Sequence, residues 1–491
     1  MTERSTIPTA ESGSGRESKT APLDIYCIAI GGSGMAPLAC LLQALGHRVR
    51  GADGPLYPPM STLLERAGIE PLVGYDGGHL ENGPRPDLVV VGNAVPRDNP
   101  EAQAAERLGL PRVSMPEALG RFVLAGRQPL VVAGTHGKTT TSAMAAHALL
   151  ACGVEPGFLI GGLPVDLDDS FRIGAGSRFV IEGDEYNAAY FDRGAKFLHY
   201  RPHTVVLTSV EHDHADLYPT PNDLLDAFRR LVALIPADGR LAACGDLPEV
   251  REVVRDASCE VVFYGLEDGN DVRPLAPPAF AADGTRVRLA AAGGTEVEVR
   301  LPLAGRHNLQ NALGVWAALG ADGLDPCQLA EALSSFHGTR RRQEELGTAA
   351  GVTVVDDFAH HPTAVGKTAE ALRQLYPGRR LWLLFEPRSL TAGRSFFFDA
   401  YVEAFTAADG VLLGPIFHRG RLTAETALDR PALVSALRAR GVEATAFDST
   451  EALLAGALDR LRAGDVAASM SSGAFEDVPR RLLAALGEHA G

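Results

Sequence analysis

The sequence predicts an α/β protein built from three domains, each organised around a mostly parallel sheet. Its length of 491 residues is enough for about three domains that each bury a core of their own. Apolar, β-branched runs end in glycine-rich or acidic turns and are followed by segments of helical composition, an alternation that indicates doubly wound sheets. A composition of 46% hydrophobic and 22% charged residues is typical of a globular protein.

Shifts in composition predict where the domains begin and end. We expect a disordered tail at 1–21, a Rossmann-like domain at 22–125, a central phosphate-binding domain at 126–338 and a second Rossmann-like domain at 339–491. The tail is rich in Ser, Thr, Glu and Gly and lacks the apolar run of a signal peptide. The last boundary coincides with the basic stretch GTRRR at 338–342.

Charge and cysteine content exclude several classes of function. The net charge of -15, without a local cluster of basic residues, argues against nucleic-acid binding. No apolar run approaches the roughly 18 residues that a membrane span needs. The six cysteines are scattered without CxxC spacing, as expected of buried thiols in a reducing compartment. We therefore expect a cytoplasmic protein, with no obligate protein partner implied.

The first domain opens with a glycine-rich turn between a predicted strand at 25–30 and a helix that ends near residue 45. A second strand leads to Asp53, and a third, at 87–91, ends at Gly92 and Asn93. This is the pattern of a Rossmann-type nucleotide site, in which glycines lie over a diphosphate and an acid contacts a ribose. Alternatively, the glycines only allow the helix to pack closely on the strand. The turn consists of Gly31, Gly32, Ser33, Gly34 and Met35.

The central domain is organised around residues 130–151, a strand, a glycine turn and an alanine-rich helix. Such a turn binds phosphate because glycines admit the anion and the first N–H groups of the helix lack partners. Lys138 would then contact the terminal phosphates and Thr139 would ligate Mg²⁺. Val132 stands where the Walker pattern has its first glycine, so an incidental lysine in a glycine turn is the alternative. The turn consists of Gly134, Thr135, His136, Gly137, Lys138, Thr139 and Thr140.

Lysine usage favours a functional Lys138. Among 46 lysines and arginines, lysine occurs at only four positions, 19, 138, 196 and 367. A chain that almost always uses arginine has lysine in this turn.

Two acidic turns follow predicted buried strands of the central domain. The strand at 178–181 leads into Glu182, Gly183, Asp184 and Glu185, and the strand at 204–210 leads into the sequence EHDHAD. Carboxylates and imidazoles at the carboxyl ends of parallel strands suit a divalent cation. We expect Mg²⁺ because the phosphate turn lies in the same sheet, although two histidines suit zinc as well. A solvated acidic turn is the alternative for the first group.

The rest of the central domain contains one further candidate feature. Residues 259–303 alternate short β-like runs with Gly and Pro turns, and we interpret them as an antiparallel insertion without chemistry. A helix is then predicted from Arg306 through Trp316. Asn308 and Asn311 share a face of it, where they either contact a base or cap the helix.

The third domain is also predicted to be doubly wound, with strands at 352–355, 381–385, 411–413 and 466–468. The first of these leads into DDFAHHP and the second into EPRS. Arg388 of the latter stands at the carboxyl end of a strand, where an arginine either clamps a carboxylate or forms a surface ion pair.

Taken together and in this order, these motifs resemble the Mur ligases, ATP-dependent enzymes that extend the peptide of peptidoglycan precursors. The motifs are GTHGKTTT, EGDE, DHAD, HNLQN, RRQE and DDFAHHP, and they span most of the chain. Within the family, YPPMSTLLERAGIE (57–70), PDLVVVGNAV (86–95), PGFLIGG (156–162) and EPRS (386–389) resemble the ligases that join recycled L-Ala-γ-D-Glu-meso-diaminopimelate to UDP-N-acetylmuramate. Addition of L-alanine to the same nucleotide is the nearest alternative.

The resemblance also implies site residues and cofactors, namely ATP and Mg²⁺, with two ions expected. Catalytic roles would fall to Lys138, Glu182, His214 and Arg388, and metal binding to Thr139, Glu182 and His214. The phosphate turn would bind ATP together with Asn308, Asn311, Arg342, Asp357 and His360. The turn of the first domain would hold the UDP part, with Asp53 and Asn93.

The chemistry of the family suits these residue types. The muramate carboxylate attacks the γ-phosphate to give an acyl phosphate, whose charge Lys138 and bound metal neutralise. An uncharged amine then attacks the carbonyl and phosphate leaves, so no nucleophile of the enzyme is required. Asn187, Ser209 and Leu390 stand where the pattern has Asp, Asn and Asn, and the tail MSSGAFED at 470–477 also departs from it. These departures bear on the incoming peptide more than on ATP.

Two other classes of function remain as alternatives. A nicotinamide oxidoreductase fits the glycine turn and Asp53 of the first domain, but it leaves the Lys138 turn unexplained. A catalytically inactive nucleotide-binding regulator is favoured by the departures from the family pattern.

Overall fold

The computed structural model describes residues 21–212, 217–291, 294–423 and 425–489. These residues form three α/β units in chain order, each around a sheet of its own. None of the helices within these ranges is long and apolar enough to cross a membrane. Most of the predicted tail, and His214 with its neighbours 213, 215 and 216, lie outside the described residues.

The N-terminal unit contains a five-stranded parallel sheet in the order β3-β2-β1-β4-β5. The direction of winding reverses between β1 and β4, so the turns after these two strands flank a crevice, the usual ligand position of such sheets. The strand predicted third is the fourth, because the two-residue β3 precedes it. The strands are β1 (Asp24–Ile28), β2 (Arg48–Asp53), β3 (Leu72–Val73), β4 (Leu88–Val91) and β5 (Arg112–Ser114). The helices are α1 (Met35–Ala44), α2 (Met60–Arg66), α3 (Gly78–Glu81), α4 (Pro100–Arg107) and α5 (Met115–Ala118).

The central unit contains a seven-stranded sheet in the order β14-β13-β12-β6-β9-β7-β8, parallel except for β8. Its strands are β6 (Gln128–Ala133), β7 (Gly157–Leu159), β8 (Phe171–Arg172), β9 (Arg178–Gly183), β12 (Thr204–Leu207), β13 (Arg240–Cys244) and β14 (Glu260–Tyr264). Two small antiparallel sheets complete the unit, β10 (Asn187–Ala189) with β11 (Asp192–Ala195), and β15 (Ala279–Ala281) with β16 (Gly284–Ala290) and β17 (Glu296–Leu301). The helices are α6 (Lys138–Ala151), α7 (Pro221–Val232), α8 (Pro248–Val253), α9 (Arg306–Leu319) and α10 (Pro326–Ser334).

The position of β6 in the middle of this sheet brings the predicted motifs together. It pairs in parallel with β9 on one side and β12 on the other, so the carboxyl ends of all three strands lie at the same edge. The interpretation of 259–303 as an antiparallel insertion is wrong for β14. That strand follows α8 as the last strand of a β-α-β unit and pairs in parallel with β13, because its apolar side chains pack on the edge of the main sheet.

The C-terminal unit contains a six-stranded sheet in the order β18-β19-β23-β20-β21-β22, in which β18 alone is antiparallel to its neighbour. The strands are β18 (Glu344–Ala349), β19 (Val352–Asp357), β20 (Leu381–Phe385), β21 (Gly410–Leu413), β22 (Glu443–Ala446) and β23 (Val466–Met470). The helices are α11 (Pro362–Leu375), α12 (Phe398–Phe405), α13 (Arg430–Ala439), α14 (Thr450–Arg460) and α15 (Val478–His489). The doubly wound fold predicted for this part of the chain is confirmed.

The three units are joined in different ways. Buried apolar residues of the N-terminal and central units form one continuous cluster, which includes Ile25 and Val131. The C-terminal unit has clusters of its own and meets the central unit through polar contacts such as that of Gln374 Oε1 with the N–H of Gly305, at 3.1 Å. A polar interface is the usual form of a contact that opens and closes.

Candidate active site

The turn after β6 has the backbone of a phosphate-binding loop. Gly134 has φ +131° and Gly137 has φ +82°, the left-handed region that favours glycine. A Cβ atom on Gly134 would lie 2.7 Å from the backbone nitrogen of Ser209, and one on Gly137 would lie 2.7 Å from Asn311 Oδ1. No side chain caps the N-terminus of α6, which leaves its first N–H groups directed at the cleft.

Lys138 is held by oxygen atoms on both sides of this turn. Its Nζ donates to the carbonyl of Gly134 at 2.6 Å and to Glu185 Oε2 at 2.8 Å. Burial by itself would lower the pKa of the ammonium group, but Glu185 and Asp184 outweigh it and hold the pKa above its ordinary value. Lys138 is therefore charged, and it stands where a terminal phosphate can replace Glu185 as its partner.

Thr139 and Glu182, two predicted metal ligands, lie together at this edge. Thr139 Oγ1 donates to Glu182 Oε2 at 3.2 Å, and the N–H of Gly161 donates to Glu182 Oε1 at 2.6 Å. Burial raises the pKa of Glu182, against the opposing effect of Lys138 and Arg342. A hydroxyl and a carboxylate are the hard oxygen donors that Mg²⁺ prefers, so these two residues fit the ion.

A second group of polar residues joins the phosphate turn to the C-terminal unit, and sequence analysis did not find it. His136 Nε2 lies 2.9 Å from Glu211 Oε2, and Thr363 Oγ1 donates to Glu211 Oε1 at 2.6 Å. Burial alone would raise the pKa of Glu211, but these two hydrogen bonds lower it to about 2. Sequence analysis placed His136 in the phosphate turn and Glu211 in an acidic turn, but nothing in the sequence pairs these residues with each other or with residue 363.

The ring of His361 completes this group, with ligand atoms of His136, Glu211 and His361 all within 4.8 Å of one another. His361 caps α11, and its Nδ1 accepts the N–H of Thr363 at 3.3 Å. A neutral imidazole that accepts at Nδ1 carries its proton on Nε2. The ring therefore presents a donor, which does not suit a metal ligand.

A cleft, called here the nucleotide cleft after the prediction for its residues, lies between the phosphate turn, α9 and the C-terminal unit. Asn308, Asn311, Arg342 and Asp357, the residues predicted to contact ATP, all line it. Neither asparagine caps α9; Asn308 Nδ2 donates to the carbonyl of Ala304 at 2.8 Å, and Asn311 Nδ2 lies 3.4 Å from Asn308 Oδ1. Among the further residues of the lining, which sequence analysis did not assign to the site, are His307, Gln310, Gln343 and Lys367.

Arg342 and Asp357 reach this cleft from opposite sides of the Phe358 loop. The Arg342 guanidinium lies over the Phe358 ring, 4.8 Å from its centroid, and 3.4 Å from Thr139 Oγ1. Asp357 accepts the N–H groups of Gln343 and Ala359, each at 2.7 Å. Burial raises the pKa of Asp357, although Arg342 opposes the shift. Both side chains are thus fixed in orientation.

A second cleft leads from the phosphate turn to the loops of the C-terminal unit. His360 lines this cleft rather than the nucleotide cleft, together with Asp184, Ser389, Leu390 and His418. Arg388 lies behind its wall, 3.6 Å from Glu386 Oε1 and stacked 3.5 Å from the centroid of the Phe417 ring. Arg388 is half-buried and takes part in an ion pair within the chain, and its role as a clamp for a substrate carboxylate stays a prediction.

The predicted UDP-binding residues lie around the crevice of the N-terminal sheet. Asp53 Oδ2 accepts the N–H of Gly31 at 2.7 Å, and its Oδ1 accepts the N–H of Gly54 and the hydroxyl of Tyr75, each at 2.7 Å. The carboxylate therefore orients the glycine turn. Asn93 follows β4 on the other side of the crevice.

Comparison with known proteins shows what kind of chain carries this site. Residues 24–127 match the catalytic domain of the Mur ligase family, residues 132–319 the Mur ligase middle domain and residues 341–473 the glutamate ligase domain of Mur ligases.

Individual relatives cover nearly the whole chain. It is 38% identical over 468 residues to the UDP-N-acetylmuramate–L-alanyl-γ-D-glutamyl-meso-2,6-diaminoheptandioate ligase of Escherichia coli, covering 95% of this chain and 99% of the relative. It is 34% identical over 484 residues to the UDP-N-acetylmuramate–L-alanine ligase of Methylibium petroleiphilum, covering 96% and 100%. The crystal structure of a murein peptide ligase from Psychrobacter arcticus superposes with a TM-score of 0.71 at 33% identity, covering 95% and 99%. The chain therefore belongs to the Mur ligase family of ATP-dependent ligases.

Proposed function

We propose that this protein joins the tripeptide L-Ala-γ-D-Glu-meso-diaminopimelate to UDP-N-acetylmuramate, with ATP and Mg²⁺, through an acyl phosphate. The observation that carries the proposal is the second cleft, which runs from the charged Lys138 turn to His418 of the C-terminal unit. A relative with this activity in its name matches 95% of the chain.

The phosphate turn would carry out the activation of the muramate carboxylate. ATP supplies the phosphoryl group, which Lys138 and Arg342 neutralise as charge develops on it. Thr139 and Glu182 would hold Mg²⁺, whose charge adds to theirs, and two ions are expected. Gly31 to Met35, together with Asp53, would bind the UDP part on the N-terminal unit. Because this unit shares a continuous core with the central unit, it would hold the muramate part in a fixed position relative to the phosphate turn.

The C-terminal unit would present the amine of the acceptor. Segment 415–421, PIFHRGR, follows β21 and contains three basic side chains and no acidic one. Arg419 and Arg421 are exposed and form no ion pair with the described part of the chain, and His418 lines the cleft beside Ser389. An acceptor with several carboxylates suits this exposed basic segment, which begins at the cleft with His418, better than L-alanine with its single carboxylate.

The proposal is tested by supplying UDP-N-acetylmuramate, ATP and Mg²⁺ with either the tripeptide or L-alanine and weighing the nucleotide product by mass spectrometry. We expect the tripeptide adduct, with ADP formed in equal amount. Replacement of Arg419 and Arg421 by alanine should raise KM for the tripeptide, whereas Arg255→Ala, at an exposed position of the central unit, should leave it unchanged. Product with L-alanine only would contradict the assignment.

Addition of L-alanine is the second candidate. The relatives named L-alanine ligases cover the chain as fully, at 34% identity, and Leu390 stands in the cleft where the tripeptide ligases are expected to have Asn. In that case the substitutions at Arg419 and Arg421 would not change KM for the acceptor.

A further inference from the structure

Helix α11 forms the wall by which the C-terminal unit closes the nucleotide cleft. Thr363, at its start, donates to Glu211 of the central unit, and Gln374, in its last turn, accepts the N–H of Gly305. Between them, Ala364, Lys367 and Thr368 line the cleft. These residues recur at helical spacing and so share one face of α11. That face contacts the central unit along the whole length of the helix.

Lys367 is a half-buried cation on that face. Its ammonium group forms no ion pair and no hydrogen bond with any residue that the structure describes. The other two lysines of the described ranges, Lys138 and Lys196, each bind a carboxylate, those of Glu185 and Asp184. Lysine is rare in this chain. An ammonium group has three hydrogen-bond donors, and at Lys367 only water or a molecule bound in the cleft can accept from them.

The place of Lys367 within the cleft indicates which part of a nucleotide it would meet. Ala364 lines both clefts and so stands near the phosphate turn, whereas Lys367 and Thr368 line the nucleotide cleft alone. Lys367 therefore lies about one helical turn farther from the phosphates, roughly 5 Å along α11. Gln310 lines the same cleft, with its amide nitrogen already bound to Asp246 Oδ2 at 2.8 Å. That bond leaves the Gln310 oxygen as an acceptor, so the lining offers both an acceptor and a donor.

We propose that Lys367 is an additional ligand of the bound nucleotide, donating a hydrogen bond to an acceptor atom of its adenosine part, either a ring nitrogen of the base or a ribose oxygen. The proposal rests on the assignment of the cleft to ATP and is independent of which acceptor peptide the protein uses. Because α11 belongs to the C-terminal unit, this contact couples occupancy of the cleft to closure of that unit over the phosphate turn.

The test is the dissociation constant for ATP and ADP, measured by calorimetry on the full chain without UDP substrate or acceptor. Lys367→Met should weaken both about tenfold or more, because a charge-assisted hydrogen bond is lost. Lys367→Arg, which keeps a donor, should recover part of the loss. Glu370→Ala, on the exposed side of the same helix, is the matched control and should bind as the wild type does.

Analogues separate the two sources of the acceptor atom. If Lys367 bonds the base, one of the 1-deaza, 3-deaza and 7-deaza analogues of ATP should bind the wild type more weakly than ATP but bind Lys367→Met no more weakly than ATP. If Lys367 bonds the ribose, 2′-deoxy-ATP or 3′-deoxy-ATP should show this difference between the two proteins instead. Equal losses for every analogue in both proteins would overturn the proposal, as would an unchanged ATP dissociation constant in Lys367→Met or an equal loss for inorganic triphosphate.

A thermal melt of each variant guards against misfolding, and Lys367→Gln provides a second neutral replacement should the methionine variant fail to fold. The outcome is also separable from that of the ligase assignment. A wild-type protein that binds ATP but makes no nucleotide–peptide product would contradict the ligation and leave the Lys367 measurement standing.

Discussion

The N-terminal and central units each place a glycine turn between a buried parallel strand and a helix, yet the two turns are built for different tasks. After β1, the turn is oriented by Asp53, whose carboxylate accepts the N–H of Gly31 and the hydroxyl of Tyr75. After β6, the turn carries Lys138, which is bound by Glu185 and lies near Asp184 and Glu182. The first turn offers backbone donors and a fixed acid, and the second offers a positive charge held among carboxylates.

With the proposed function, this difference would let one local motif serve both binding and chemistry. A turn without a cation holds an anion whose charge does not change, as in a UDP group that is bound throughout a reaction. A lysine that can exchange a carboxylate for a phosphate stabilises charge as it develops, which is what lowers a barrier. Changes in the two turns should therefore be separable.

The largest effect is expected from Lys138→Ala, which should lower ADP formation about 100-fold to 1000-fold, because the charge opposite the transferred phosphate is removed. Binding of UDP-N-acetylmuramate, measured by calorimetry, should be nearly unchanged, since the turn proposed to bind it lies on the other unit. Equal loss of both would mean that the two turns do not act separately.

A smaller effect is expected when the same substitution is placed in each turn. Gly134→Ala forces a left-handed φ of +131° on alanine and brings its Cβ within 2.7 Å of a backbone nitrogen, and it should cost about 3 kcal/mol in the free energy of unfolding. Gly32→Ala, whose Cβ would lie 3.5 Å from its nearest neighbour, should cost roughly 0.5 kcal/mol or less. Urea unfolding of both variants measures the contrast, and similar costs would contradict it.

Asp53→Asn tests whether the carboxylate that orients the first glycine turn contributes to binding of the UDP substrate. The amide keeps one acceptor oxygen and turns an NH₂ group toward backbone or hydroxyl donors, so we expect about 1–2 kcal/mol weaker binding of UDP-N-acetylmuramate. The dissociation constant for ATP should not change. A parallel loss of ATP affinity would show that Asp53 acts beyond its own unit.

The smallest effect concerns the pH dependence of the nucleotide cleft. Burial, with Lys367 and Arg342 nearby, lowers the pKa of His307 to about 3 from its ordinary 6.5. Between pH 6.5 and 3 the unfolded chain therefore binds a proton at His307 that the folded chain does not bind. The contribution of the neutral His307 to the free energy of unfolding is complete above pH 6.5 and is lost progressively as the pH falls from 6.5 toward 3. His307→Gln, which can still accept from Gln343, should flatten the fall in Tm between pH 7 and 5 by a few degrees. An identical pH profile in the two proteins would exclude His307 as the cause.

Much of the candidate site was predictable because its parts are local. The strand, turn and helix around Lys138 follow from an apolar run, two glycines and an alanine-rich segment, all within about twenty residues. The acids at the end of β9, where Glu182 is still part of the strand, and the asparagines on α9 lie on the predicted kinds of element for the same reason. The assignment of β14 to an insertion failed because a short edge strand has the same composition whether its neighbour is parallel or antiparallel.

The sequence by itself determined the elements, the glycine positions that need a left-handed backbone, and the chemical types gathered in the motifs. Tertiary structure decided which of them meet. Glu185 pairs with Lys138 across 47 residues, Thr363 with Glu211 across 152, and Arg342 with Thr139 across 203. Such contacts depend on strand order, register and the docking of α11, which arise from packing of the whole chain and leave no periodic signal in any one segment.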